Sequence, residues 1–158
     1  MHVYSAASSW TSERDFYIGS SCPQKIAADT NGDVFLAGPD YRSVIEEYGP
    51  SARGATANPI RTFAIPSDEI VGLAVDGSGT VYLQSFATLL KYAPGSSTAR
   101  QALPGRVIGR FGLDPNDNVY ISSYGIIYEF APGTTKPMRT VSITGSATGL
   151  VEAIAAGP

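Results

Sequence analysis

Three aspartates, Asp29, Asp76 and Asp114, stand at the head of the same short phrase. A carboxylate repeated at matched places is raw material for a metal site or an acid–base pair. Calcium held by one short loop needs a dense set of oxygen donors, and Asp29-Thr30-Asn31-Gly32-Asp33 begins in that manner. The twelfth place of that stretch holds Asp40, where such a loop closes with a bidentate glutamate. No flanking helices are foreseen either, which rules the calcium loop out. Each aspartate instead has Gly or Asn close behind it. A short carboxylate in that setting accepts hydrogen bonds from its own turn, and turn satisfaction is the expected role of all three.

The cations are patterned too. Arg14, Arg61, Arg100 and Arg139 recur in one phrase, as in Ile60-Arg61-Thr62-Phe63-Ala64-Ile65 and Met138-Arg139-Thr140-Val141-Ser142-Ile143. The alternation reads as a strand with one buried face and the arginine on the other. One reading is a groove for anions. The expected one is a solvated face whose guanidinium stems cover a sheet edge and discourage edge pairing. Lys25 and Arg110 share a second place, four residues ahead of their aspartates, where the middle copy has Gly72. Two cations there could attract an anionic ligand. His2 is the single histidine, and Cys22 has no histidine beside it for activation; a half-buried loop thiol is the expected reading. Neither a Gly-x-Ser-x-Gly elbow nor a phosphate-binding loop occurs.

A repeating frame places these residues. Lys25–Ala37, Gly72–Gln84 and Arg110–Ser122 are each a short apolar strand, a turn, and a strand rich in β-branched and aromatic residues, which is the pattern of a β-hairpin. Downstream of each comes a second element, Val44–Pro50, Leu89–Gly95 and Ile126–Gly133, and then the arginine phrase. Asp76 to Asp114 and Tyr92 to Phe130 are both 38 positions, and Arg100 to Arg139 is 39. The earlier unit is longer, at 47 from Asp29 to Asp76, and its excess falls in 38–43 and 51–58, between elements. Insertions confined to loops are what a structural repeat tolerates.

One unit therefore has four strands: a before the aspartate turn, b after it, c ending in Tyr-Ala-Pro-Gly, and d carrying the arginine. A four-stranded unit of about 40 residues is the blade of a β-propeller. The predicted fold is all-β: a propeller of four-stranded antiparallel blades, incomplete or closed by oligomerisation, in a single repeat domain over 1–158. Strands c and d of a terminal blade take 1–18, three blades take 24–65, 70–103 and 108–143, and the first strand of a further blade takes 150–158. An antiparallel solenoid or sandwich is the alternative, disfavoured by a spacing far above a solenoid rung. Tyr48, Tyr92 and Phe130, with Tyr4 as the terminal copy, are expected to pack between blades. Gly79, rather than Gly95, is expected to hold a positive φ.

The phrasing Ile-Ala-Ala-Asp-Thr-Asn-Gly-Asp-Val-Phe-Leu-Ala, then Tyr-Ala-Pro-Gly, then Arg-Thr-Phe-Ala-Ile resembles the NHL-type repeats of six-bladed propellers, above all bacterial proteins built of such repeats. That resemblance implies that strand a starts at a central channel, so that Lys25 and Arg110 would face it. It further implies a ligand face built from the b–c and d–a connections, where Tyr41, Arg42, Phe86 and Tyr124 lie. Propellers of this kind include binding domains, lyases and lactonase-like enzymes. A metal-dependent lyase would want internal His and Glu, and a lactonase Glu, Asn and Asp on separate inner strands, whereas Glu152 is the one acidic residue available there. The resemblance favours an extracellular or periplasmic setting.

Composition limits the functional classes. Lys+Arg 11 against Asp+Glu 14 leaves a net charge of −3 and no run of like charge, so no nucleic-acid partner is expected. No apolar run reaches a membrane span, no signal peptide is evident, and a lone cysteine forms no intrachain disulfide. The expected function is a non-enzymatic binding or scaffold module without a cofactor or metal. Its partner would be a small molecule, glycan or protein, and the chain could self-associate to close the ring. The alternative is a metal-dependent lyase or lactonase-like enzyme, and a third possibility is a purely structural repeat.

Overall fold

The computed structural model describes residues 2–4, 12–15, 22–38, 42–54, 57–66, 69–86, 88–103 and 109–143. All regular structure among them is β. The first pair is β1 (His2–Tyr4) with β2 (Ser12–Asp15). Three four-stranded antiparallel sheets follow, each in the order a-b-c-d. Blade 1 comprises β3 (Lys25–Ala28), β4 (Val34–Ala37), β5 (Val44–Tyr48) and β6 (Arg61–Ala64). Blade 2 is β7 (Ile70–Val75), β8 (Val81–Ser85), β9 (Leu89–Tyr92) and β10 (Arg100–Gln101). Blade 3 is β11 (Phe111–Leu113), β12 (Val119–Ser123), β13 (Ile126–Phe130) and β14 (Arg139–Ser142). The further strand expected over 150–158 lies outside the described residues.

The a–b turn is built the same way three times. Asp29, Asp76 and Asp114 each donate their own N–H to the carbonyl four residues on: Asp33, Thr80 and Asn118. Their Oδ1 atoms accept from the amides two and four residues on: Asn31 and Asp33, Ser78 and Thr80, Asn116 and Asn118. The turn needs a left-handed residue at its fourth place, and Gly32 (φ 83°) and Gly79 (φ 84°) supply it without a Cβ penalty. The third copy uses Asp117 at φ 63°, one of the few side chains that tolerate that region. Register repeats as well, with Ala27 opposite Phe35, Ala74 opposite Tyr82 and Gly112 opposite Tyr120.

The core lies in the seams between blades. Strand b is apolar at successive positions because neighbours cover both of its faces, and β4 and β8 are buried throughout. Phe35, Ile45, Phe63 and Ile65 of blade 1 pack against Val81, Leu83 and Tyr92 of blade 2. Tyr82, Leu89 and Leu103 pack against Val119 and Ile121, with Phe130 at the margin. Tyr48 packs with Val34 and Leu36 on the other face of blade 1. Blades approach closely at their first strands, β3 against β7 and β7 against β11. Gly72 is required there, since a Cβ on it would lie 2.8 Å from the Phe111 ring.

Three expectations need correction. Arg61 shares the face of Phe63 and Ile65, as a two-residue period demands, rather than the opposite one. Gly95 has a positive φ of 72° no less than Gly79. The Ser96 N–H closes onto the Ala93 carbonyl, and Pro94-Gly95 fills the two central places in the manner of a type II turn. Cys22 is exposed rather than half-buried.

Candidate functional site

The b–c connections share one end of the blades. Phe86 lies on that of blade 2 and is 61% exposed. Tyr124 lies on that of blade 3 and is 85% exposed, so neither ring caps a seam. Ser123 and Ile126 are register partners, which makes Tyr124-Gly125 a two-residue hairpin turn. Both residues have positive φ, 46° and 77°, the geometry of a type I′ turn, which favours Asn-Gly. A tyrosine at the first of these places is a backbone outlier. Tyr41, on the b–c connection of blade 1, lies outside the described residues, as do Ser67, Asp68, 104–108 and 144–150 of the d–a connections.

Arg42 is exposed but committed. Its guanidinium pairs with Glu46, a carboxylate 8% exposed, which also accepts from the Tyr48 hydroxyl at 2.9 Å. Burial, followed by that bond to Glu46, pushes the Tyr48 phenol up to about 12. Lys25 and Arg110 are half-buried at the starts of the strands flanking β7, so one blade separates them. The Arg110 main-chain N–H donates to Ser122 Oγ at 3.0 Å. Beside that seam, Gln84 is 1% exposed and donates from Nε2 to the Gly109 carbonyl. Its Oε1 has no partner among the described residues.

The opposite end of the blades carries a cleft of about 630 Å³ between blades 2 and 3. Lys91 and Arg100 line it, with Tyr82, Thr98 and Gly133. Burial first, then the charges of Asp76 and Asp117, push the Tyr82 phenol up to about 12. The sequence reading missed this place, although the signal was present: Lys91 stands where the other blades have Glu47 and Glu129, opposite the recurring arginine. Among the described residues, no three His, Cys, Asp or Glu side chains converge as a metal site would require. No helix among them is long and apolar enough to cross a membrane.

No family model matches the sequence, and no curated protein matches it. Solved structures do match the fold. A chain of the Mitotic Checkpoint Complex superposes with a TM-score of 0.57 at 14% identity, over 90% of this chain and 44% of that one. A protein from a study of the de novo evolutionary emergence of a symmetrical protein gives 0.58 at 16%, over 91% and 68%. The extracellular domain of a one component system from B. thetaiotaomicron gives 0.52 at 16%, over 80% and 18%. This chain thus spans less than half of the checkpoint-complex chain. At such identities the likeness is one of fold: an all-β, propeller-like array of four-stranded antiparallel blades.

Proposed function

We propose that the chain is a non-enzymatic binding or scaffold module, an NHL-type propeller that meets a glycan or protein through the aromatic residues of its b–c end. The observation that carries this reading is Tyr124. A left-handed backbone costs a residue with a Cβ on the order of 1–2 kcal/mol. At 85% exposure the ring recovers little of that through burial. Strain kept where it stabilises nothing is a reason to look for function, and a rigid aromatic ring gives much contact area for little lost conformational entropy. Phe86 stands at the matching place one blade away, and Tyr41 belongs to the same set by sequence. Lys25 and Arg110 are assigned to the channel side, and Arg42 to holding Glu46 rather than to ligand.

An exported bacterial protein is the setting this reading favours, in keeping with the extracellular domain among the structural neighbours. Self-association is part of the proposal, because Met138, Val141 and Ile143 are exposed on and beside β14; a monomer by light scattering at micromolar concentration would oppose it. Binding is tested by probing immobilised glycans and peptides with labelled protein. Wild type should be retained, and the Phe86→Ser, Tyr124→Asn double variant should lose at least tenfold. Tyr124→Asn alone should unfold no more readily than wild type, since Asn suits the turn. Equal retention of wild type and double variant, or a less stable Tyr124→Asn protein, would overturn the reading.

A further inference from the structure

We infer that the cleft between blades 2 and 3 is a binding site for a small carboxylate or phosphate, held between Lys91 and Arg100. The repeat itself supplies the argument. In blade 1, strand d places Arg61 opposite Glu47, and in blade 3 it places Arg139 opposite Glu129. Both pairs form ion pairs, with Nε to Oε2 at 2.6 Å in each. Blade 2 keeps the arginine and replaces the glutamate, so Arg100 faces Lys91 across the strands. Directly opposed side chains in an antiparallel pair sit about 5 Å apart at Cβ, and like charges there destabilise the sheet. Neither cation has an ion pair among the described residues.

The neighbouring seam shows what this exchange does to the space. Between blades 1 and 2, Arg61 spans the gap and donates from Nη1 to the Ser96 carbonyl of the next blade. Arg100 makes no corresponding bridge to blade 3 among the described residues, and the cleft stands open beside both cations. Arginine offers a planar fork of donors matched to carboxylate or phosphate oxygens, and lysine adds a mobile point charge. The Thr98 and Tyr82 side chains line the same cleft. Asp76 also lines it, and its charge and that of Asp117 are felt at Tyr82, but both carboxylates are engaged. Asp76 Oδ1 accepts from the amides of Ser78 and Thr80 and the Ser78 hydroxyl, the Tyr82 hydroxyl bonds Asp76 as well, and Asp117 accepts from the Gly77 amide. This site lies at the end away from Phe86 and Tyr124, and it stands or falls independently of the proposed module function.

The test uses inorganic phosphate and acetate as probes, read by amide chemical shifts at Thr98 and Gly133. Saturable shifts are expected in the wild type, with the tighter of the two anions naming the ligand class. Lys91→Glu recreates the blade 1 pair, so it should weaken binding at least tenfold and raise the melting temperature. Arg100→Gln should weaken binding without needing that rise. Unsaturable shifts with both anions, unchanged binding in the variants, or a lower melting temperature for Lys91→Glu would overturn the inference.

Discussion

The Gly77 N–H donates a 2.8 Å hydrogen bond to Asp117 Oδ1, joining the a–b turn of blade 2 to that of blade 3. Asp117 occupies the place of Gly32 and Gly79, at φ 63°. One side chain therefore tolerates the left-handed backbone and links two blades. Asp117→Asn keeps an acceptor and the conformational tolerance, and should stay within about 0.5 kcal/mol of wild type in urea unfolding. Asp117→Ala loses both and should cost about 1–2 kcal/mol. Asp117→Gly frees the backbone but loses the bond, and should fall between them. An alanine variant as stable as the glycine one would mean that the turn carries no strain.

Tyr92 is fully buried, with its ring centroid 4.8 Å from that of Phe63 in the next blade and its hydroxyl donating to the Ala64 carbonyl at 3.0 Å. Removing the ring opens a cavity at the centre of a seam, so Tyr92→Ala should cost about 3–5 kcal/mol. Tyr92→Phe keeps the packing, leaves one carbonyl without its donor, and should cost about 1 kcal/mol. A loss below ~1 kcal/mol for the alanine variant, measured by denaturant unfolding, would contradict the seam assignment.

The blades were legible because local chemistry and long-range packing demand the same residues. Asp29, Asp76 and Asp114 mark a turn whose hydrogen bonds close within five residues, so the sequence around each carries the whole reason for it. Val34–Ala37 and Val81–Leu83 are apolar without alternation because both faces are covered. Charge was the poorer guide. The alternating pattern predicts solvent for Arg61, but its guanidinium lies over the Phe63 ring, with Cζ 4.6 Å from the centroid, and pairs with Glu47. Parity with Phe63 already placed it on that side. Gly125 marks the b–c turn of blade 3, but nothing signalled the left-handed backbone of Tyr124 before it, since tyrosine is not a turn former. The cleft depends on comparing blades residue by residue, because Lys91 is informative only against Glu47 and Glu129.

Acid and alkali should each find a named weak point. Burial would raise the Asp114 carboxyl, but hydrogen bonds from Asn118, Tyr120 and Asn116 outweigh it and hold the group below its ordinary 3.8. Its contribution is therefore complete above pH 4 and lost as the pH falls through that lowered value. The Tyr48, Tyr82 and Tyr120 phenols are pushed to about 12, each by burial first. Their contribution is complete below pH 10 and lost between 10 and about 12. Unfolding midpoints across pH should fall at both extremes, and phenolate absorbance should show a late-titrating group of tyrosines. Asp114→Asn should flatten the acid limb; an unchanged limb would place the acid sensitivity elsewhere.

Arg61 and Glu47 invite a double-mutant cycle against Arg139 and Glu129, because the two pairs share geometry and differ in surroundings. Arg61 is 18% exposed and Glu47 13%, whereas Arg139 is 63% exposed. Arg61 also stacks on Phe63 and bonds the Ser96 carbonyl of the next blade, so its orientation is set before the ion pair forms. Water screens an exposed pair, and holding a long side chain in one pose costs entropy. A half-buried pair that is already oriented avoids much of both costs, while removing one partner leaves the other charge poorly solvated. The coupling between Arg61→Met and Glu47→Gln should be roughly 1–2 kcal/mol, intermediate between exposed and buried pairs. That between Arg139→Met and Glu129→Gln should be smaller and should fade in high salt. Arg61→Met also loses the stacking on Phe63 and the bond to Ser96, but those losses occur in both arms of the cycle and cancel, which leaves the coupling to Glu47. Equal couplings at the two sites would mean that the seam adds nothing to the ion pair.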